Sequence, residues 1–116
     1  MSLLDEKSRR FAVRIIRVYQ YLRATNREFV LSRQLLRAGT SIGANLAEAK
    51  YAISRSDFLA KQYIALKEAS ETLYWLDLLY QTDYLTEKQY KSLYTDADEL
   101  RRLLTASTKT LKESGR

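Results

Sequence analysis

Thr86-Glu87-Lys88-Gln89-Tyr90-Lys91-Ser92-Leu93-Tyr94-Thr95-Asp96-Ala97-Asp98-Glu99-Leu100-Arg101-Arg102-Leu103-Leu104 is the stretch that decides the fold class. It opens with T-x-x-Q, the form of a capping box, in which two side chains satisfy free N–H groups at a helix start. Behind the box, Tyr90, Leu93, Ala97, Leu100, Leu104, Ser107 and Leu111 succeed one another every three or four residues. That spacing is the a/d seam of a helix that packs against other helices. The reading is a helix from the Thr86 box to about residue 112, with residues 113–116 expected to fray.

Working upstream, residues 57–80 form a second such segment. Leu59, Leu66, Ala69, Leu73, Leu76 and Tyr80 keep the three-four spacing, with Tyr74 and Trp75 beside the seam. Gln81-Thr82-Asp83 closes this helix, and Ser54-Arg55-Ser56-Asp57 supplies capping residues before it. Residues 28–52 read as another helix, with Leu35, Ile42, Leu46, Ala49 and Ile53 on its inner stripe and Asn26 as its N-cap. Gly39, Thr40, Ser41 and Gly43 in its middle leave room for a kink. Residues 4–24 carry Phe11, Ile15, Val18 and Leu22 on one stripe, widened by Val13, Ile16 and Tyr19, after a Ser2/Asp5 capping box. Helices of this length run roughly 30–38 Å at 1.5 Å per residue. Short breaks between them force antiparallel neighbours, so the expected architecture is all-α: an up-down-up-down four-helix bundle forming one domain over residues 1–116.

Composition agrees. The chain has 116 residues, no proline and three glycines, too few turn residues for a β protein of this size. It has no cysteine and no histidine, which removes disulfides, thiolate chemistry, the commonest general base and the commonest metal ligand. Glu68 and Glu71 are three residues apart, but a di-metal bundle needs Glu-x-x-His motifs. Gly39 and Gly43 do not form a phosphate loop, because G-x-x-x-x-G-K-[ST] is missing. No cofactor, metal or catalytic group is expected. No apolar run of about 18 residues is present to cross a membrane, and the N-terminus lacks the pattern of a signal peptide, so a cytoplasmic protein is expected.

The net charge of +6 is uneven. Residues 1–56 hold 11 Lys/Arg against 4 Asp/Glu, a balance of +7, and residues 57–116 hold 9 against 10, a balance of −1. In the first half, arginine outnumbers lysine nine to two. Guanidinium groups suit bidentate phosphate contacts. Arg10, Arg14 and Arg17 form a row on the first helix, and Arg9, Arg23, Arg27, Arg33 and Arg37 add to it. The pattern points to RNA or DNA; the plainer reading is a solvated face. Of the nine tyrosines, Tyr19 and Tyr21 flank arginines and could stack on bases, whereas Tyr63, Tyr74, Tyr80, Tyr90 and Tyr94 are expected in packing. Gly39, Gly43 and Ala47 line one helical face, the mark of a tight helix crossing within the chain or between subunits. Asn45, polar among small and apolar groups, would need partners if buried.

Two blocks carry a resemblance: Phe29-Val30-Leu31-Ser32-Arg33-Gln34-Leu35-Leu36-Arg37-Ala38-Gly39-Thr40-Ser41-Ile42-Gly43-Ala44-Asn45-Leu46-Ala47-Glu48-Ala49, and Ala65-Leu66-Lys67-Glu68-Ala69-Ser70-Glu71-Thr72-Leu73-Tyr74-Trp75-Leu76. Together they resemble the bacterial four helix bundle protein family. Its members include proteins encoded in intervening sequences of large-subunit ribosomal RNA genes, and the accessory variability determinant of diversity-generating retroelements is a related type. The resemblance implies an antiparallel bundle assembled as a homo-oligomeric ring, typically a pentamer, without enzymatic activity. For the retroelement proteins it implies a basic surface that binds nucleic acid and a partner reverse transcriptase. By position, Gly39, Thr40, Ser41, Gly43, Asn45 and Glu48 are the signature residues. Carrying the basic surface onto Arg10, Arg14, Arg17, Arg33 and Arg37 is a looser step, because that surface is not a fixed motif. The alternative is a protein-interaction scaffold with no nucleic-acid role.

Overall fold

Helix starts are set by side chains that take over free backbone N–H groups. In the computed structural model, which describes residues 2–114, Ser2 Oγ accepts from the Asp5 N–H at 3.1 Å and opens α1, Leu3–Thr25. Ser54 Oγ accepts from the Asp57 N–H at 3.0 Å and opens α3, Arg55–Gln81. Thr86 and Gln89 cap each other reciprocally, at 2.9 and 3.1 Å, ahead of α4, Glu87–Ser114. The last helix thus runs through residues 113 and 114, where fraying was expected; Gly115 and Arg116 lie outside the described residues.

The second helix departs most from expectation. Asn26 does not cap it but closes α1, its N–H returning to the Leu22 carbonyl. Arg27 adopts left-handed backbone (φ 53°), which reverses the chain and delays α2 to Leu31–Ala49. The capping role passes to Glu28, whose carboxylate accepts from the N–H of Ser32 at 2.7 Å and of Val30 at 3.3 Å. At the other end, the N–H groups of Lys50, Tyr51 and Ala52 turn back three residues to Ala47, Glu48 and Ala49, so the helix tightens and stops. Ile53, expected on the inner stripe, is 93% exposed. Through Gly39 and Gly43, α2 is uninterrupted.

The four helices form an antiparallel up-down-up-down bundle measuring 49 × 22 × 22 Å. Its core takes Phe11, Ile15 and Leu22 from α1, Leu35, Ile42 and Leu46 from α2, Leu76 and Leu79 from α3, and Leu93, Leu100 and Leu104 from α4. Each large side chain withdrawn from water contributes about 1.5–3 kcal/mol. Val13 and Ile16 do not widen the α1 stripe; they sit more than about 90° around the helix from Phe11 and Ile15, and face solvent. Of the seam expected in α3, Ala69 and Leu76 are fully buried, whereas Leu59, Leu66, Leu73 and Tyr80 are only half-buried. The smaller Gln62, Ala65, Ala69 and Thr72 lie deeper, beside Leu76 and Leu79, and let α3 approach its neighbours. Among the described residues, every buried polar side-chain atom has a hydrogen-bond partner.

The crossing of α1 and α2 is built on Gly39. A Cβ there would stand 2.9 Å from Cγ1 and Cγ2 of the fully buried Ile15. A Cβ at Gly43 would meet Ser8 Oγ no closer than 3.4 Å, an ordinary contact. Gly39 is buried, Gly43 half-buried and Ala47 exposed, so the small-residue stripe turns out of the crossing into an open cleft beside Asp5, Arg9 and Lys50. Packing between α1 and α4 is sparse. Polar bridges span that seam: Lys7 to Glu99 at 3.1 Å, and Arg14 to Asp96 at 2.6 Å and to Ser92 Oγ at 2.9 Å.

Candidate nucleic-acid interface

The bundle sorts the arginines of the first two helices by what stands opposite them. Arg10 pairs with Glu6 one turn back. Arg14 is held by Asp96. Arg37 crosses from α2 to α3, where its guanidinium contacts Glu71 and reaches Glu68 at 3.1 Å; Glu71 also accepts from Trp75 Nε1 at 2.8 Å. Arg14 and Arg37 are thus paired across the bundle, whereas the Arg10 pair is a solvent-exposed one along its own helix. Arg17 and Arg33 have no carboxylate within ion-pair distance among the described residues, and neither have Arg9, Arg23 and Arg27.

Four of these five unpaired cations, Arg17, Arg23, Arg27 and Arg33, belong to one end of the α1/α2 hairpin. Arg17 lines a cleft between α1 and α4 with Tyr21, Leu85 and Gln89. Arg23 lies over two rings, its Cζ 5.2 Å from the Tyr19 centroid and 5.0 Å from that of Phe29. Arg27 lies over Phe29 at 5.9 Å. Each exposed cation–π contact contributes about 0.5–1 kcal/mol, enough to bias where a guanidinium rests. The acidic residue of the turn, Glu28, is buried and committed to the first turn of α2. Burial pushes its carboxyl up, but the amides of Ser32, Leu31 and Val30 and the Ser32 hydroxyl outweigh that and lower its pKa below 4.5. It is therefore an anion at neutral pH that offers little charge to the surface. Across the same end of the bundle, Asp83 is exposed and Glu87 pairs with Lys91.

Arg23, Arg27 and Phe29 were less legible than Arg10, Arg14 and Arg17. The helical row of the latter is visible as i, i+4, i+7 spacing, yet carboxylates from the same helix and from α4 reach Arg10 and Arg14 and leave Arg17 alone of the three without one among the described residues. The grouping of Arg23 with Phe29 depends on the left-handed turn at Arg27, a backbone state that sequence seldom announces for a non-glycine residue.

The signature residues of α2 mostly serve the helix and its neighbours. Thr40 Oγ1 donates back to the Leu36 carbonyl at 2.7 Å. Half-buried Asn45 donates to the Ser41 carbonyl at 2.8 Å, so its need for a partner is met within its own helix. Glu48 takes the Lys61 ammonium of α3 at 3.0 Å. Among the tyrosines, Tyr80 stacks on Tyr90 with centroids 4.4 Å apart and Tyr94 leans against Tyr90 at 5.3 Å, as packing predicts. Tyr63 and Tyr74 are exposed.

The model of the 23S rRNA-intervening sequence proteins matches residues 4–106. The chain belongs to this family. A crystal structure of a protein with unknown function from the S23 ribosomal protein family, from Bacteroides thetaiotaomicron VPI-5482, is 51% identical to it. The match covers 92% of this chain and 99% of that one, with a TM-score of 0.91, so the two share one bundle throughout. No curated protein matches the chain. Among the described residues no helix is long and apolar enough to cross a membrane, and no group of three or more acidic side chains is placed to hold a metal ion.

Proposed function

We propose that this chain is a non-enzymatic, homo-oligomeric protein of the cytoplasm that binds nucleic acid through phosphate contacts from the end of its α1/α2 hairpin. The observation that carries the reading is the set of four arginines there, Arg17, Arg23, Arg27 and Arg33, with no carboxylate partner among the described residues. Cations left without protein partners, on a chain of +6, attract a polyanion by releasing its counterions. Assembly multiplies the field: a ring of five would carry a formal +30. Serving a nucleic-acid enzyme such as a reverse transcriptase as an accessory factor fits the same surface.

A protein scaffold is the second reading. It is favoured by the α2–α3 loop, where Tyr51 and Ile53 are 86% and 93% exposed although the loop is fixed by hydrogen bonds, including Ile53 N–H to Asp57. Size-exclusion chromatography with light scattering separates the two. It is run alone and with a single strand, a structured RNA or a DNA duplex, at low and high salt. Nucleic-acid binding predicts a multimer that shifts at low salt and is released at high salt. A multimer indifferent to all three supports the scaffold instead, and a monomer contradicts homo-oligomerisation.

A further inference from the structure

The mouth of the α1/α2 turn is an open depression of about 440 Å³ lined by Tyr19, Gln20, Arg23, Ala24, Arg27 and Phe29. Within it the Arg23 guanidinium carbon lies 5.2 Å from the Tyr19 ring centroid and 5.0 Å from that of Phe29, and that of Arg27 lies 5.9 Å from Phe29, so two rings and two guanidinium groups are clustered. Phe29 is 40% exposed and Arg27 is exposed, so the stack is open to an incoming group. The turn is also ordered at some cost, with Arg27 in left-handed backbone and Glu28 buried beneath it.

A guanidinium lying on a ring keeps its in-plane N–H donors free for a phosphate, while ring and guanidinium faces accept a nucleobase. We infer that this stack is a platform for an unpaired base and its phosphate, so that the chain prefers single-stranded or looped-out nucleic acid to duplex. In a duplex the bases stack on each other and only phosphates are offered. Phosphate contacts alone would therefore bind both forms, whereas the rings add affinity for the unpaired one. The inference rests on the nucleic-acid reading above and names the ligand form it takes.

The test compares three labelled probes by fluorescence anisotropy at low salt: an oligouridylate, a strand of the same length with abasic residues, and an RNA duplex. The abasic strand retains the phosphates and lacks the bases. The base-bearing strand is expected to bind about tenfold more tightly than the abasic one. Phe29→Leu, with folding checked by circular dichroism, is expected to erase most of that difference, and Phe29→Tyr to preserve it. Arg27→Ala is expected to weaken both single strands. Equal binding of the base-bearing and abasic strands by the unaltered protein overturns the platform and leaves phosphate binding standing. So does a difference that survives both Phe29→Leu and Tyr19→Leu. Binding of no probe overturns the platform and the nucleic-acid reading together.

Discussion

Gly39 and Gly43 share a helix and a face but not a role. Beneath Gly39 stands the buried Ile15, and a Cβ would meet it at 2.9 Å. Gly39→Ala gains about 1 kcal/mol of helix propensity and loses about 1–3 to overpacking, so a net destabilisation of about 1 kcal/mol is expected in urea unfolding. At Gly43 the nearest atom stands at 3.4 Å, and Gly43→Ala is expected to stabilise the monomer by up to about 1 kcal/mol. Their common spacing is plain in the sequence. Which of them carries the crossing is not, because that depends on where α1 crosses. Arg27 is a comparable case. Its left-handed backbone costs about 1 kcal/mol, and a glycine would remove that cost. Arg27→Gly is expected to leave stability unchanged or raise it by less than about 1 kcal/mol, after losing the contact with Phe29, and to weaken nucleic-acid binding.

At the scale of the element, the seams of α4 and the caps at Ser54 and Thr86 were legible because short-range patterns determine them. The start of α2 was not. Asn26 has the right chemistry for a cap, but the turn at Arg27 moves the helix start onward and brings the Glu28 carboxylate to the waiting amides. This cap has a pH signature. The folded-state pKa of Glu28 lies below its ordinary 4.5, so its stabilisation is complete above that pH and is lost as pH falls through the folded-state value. Asp5 and Asp98 are lowered as well and add to the same acid limb. Glu28→Gln is therefore expected to flatten the loss of stability below about pH 4.5 without abolishing it, as read from thermal midpoints against pH. An acid limb identical to that of the unaltered protein would refute the cap. The outward turn of Val13 and Ile16 has a simpler origin: three- and four-residue spacing marks a stripe, and apolar residues off that spacing fall on other sides of the helix and face water.

Across the whole molecule, the positive first half and the bundle were both evident beforehand, but the location of the available charge was not. Ion pairing is a tertiary property: Asp96 comes from α4 and Glu68 and Glu71 from α3, and they claim Arg14 and Arg37. Arg37→Met is accordingly expected to cost about 1–2 kcal/mol, because it strands the nearly buried Glu68 carboxylate, with little effect on nucleic-acid affinity. Arg17, Arg23, Arg27 and Arg33 have no carboxylate partner among the described residues, and the proposed binding surface is built on them. The most direct check is the slope of log K against log salt for a single strand, measured for the unaltered protein and for a variant with these four arginines changed to alanine. Four lost phosphate contacts should make the slope shallower by up to about 3. An unchanged slope, or an equal loss on replacing Arg14 and Arg37, would contradict this assignment of the binding surface.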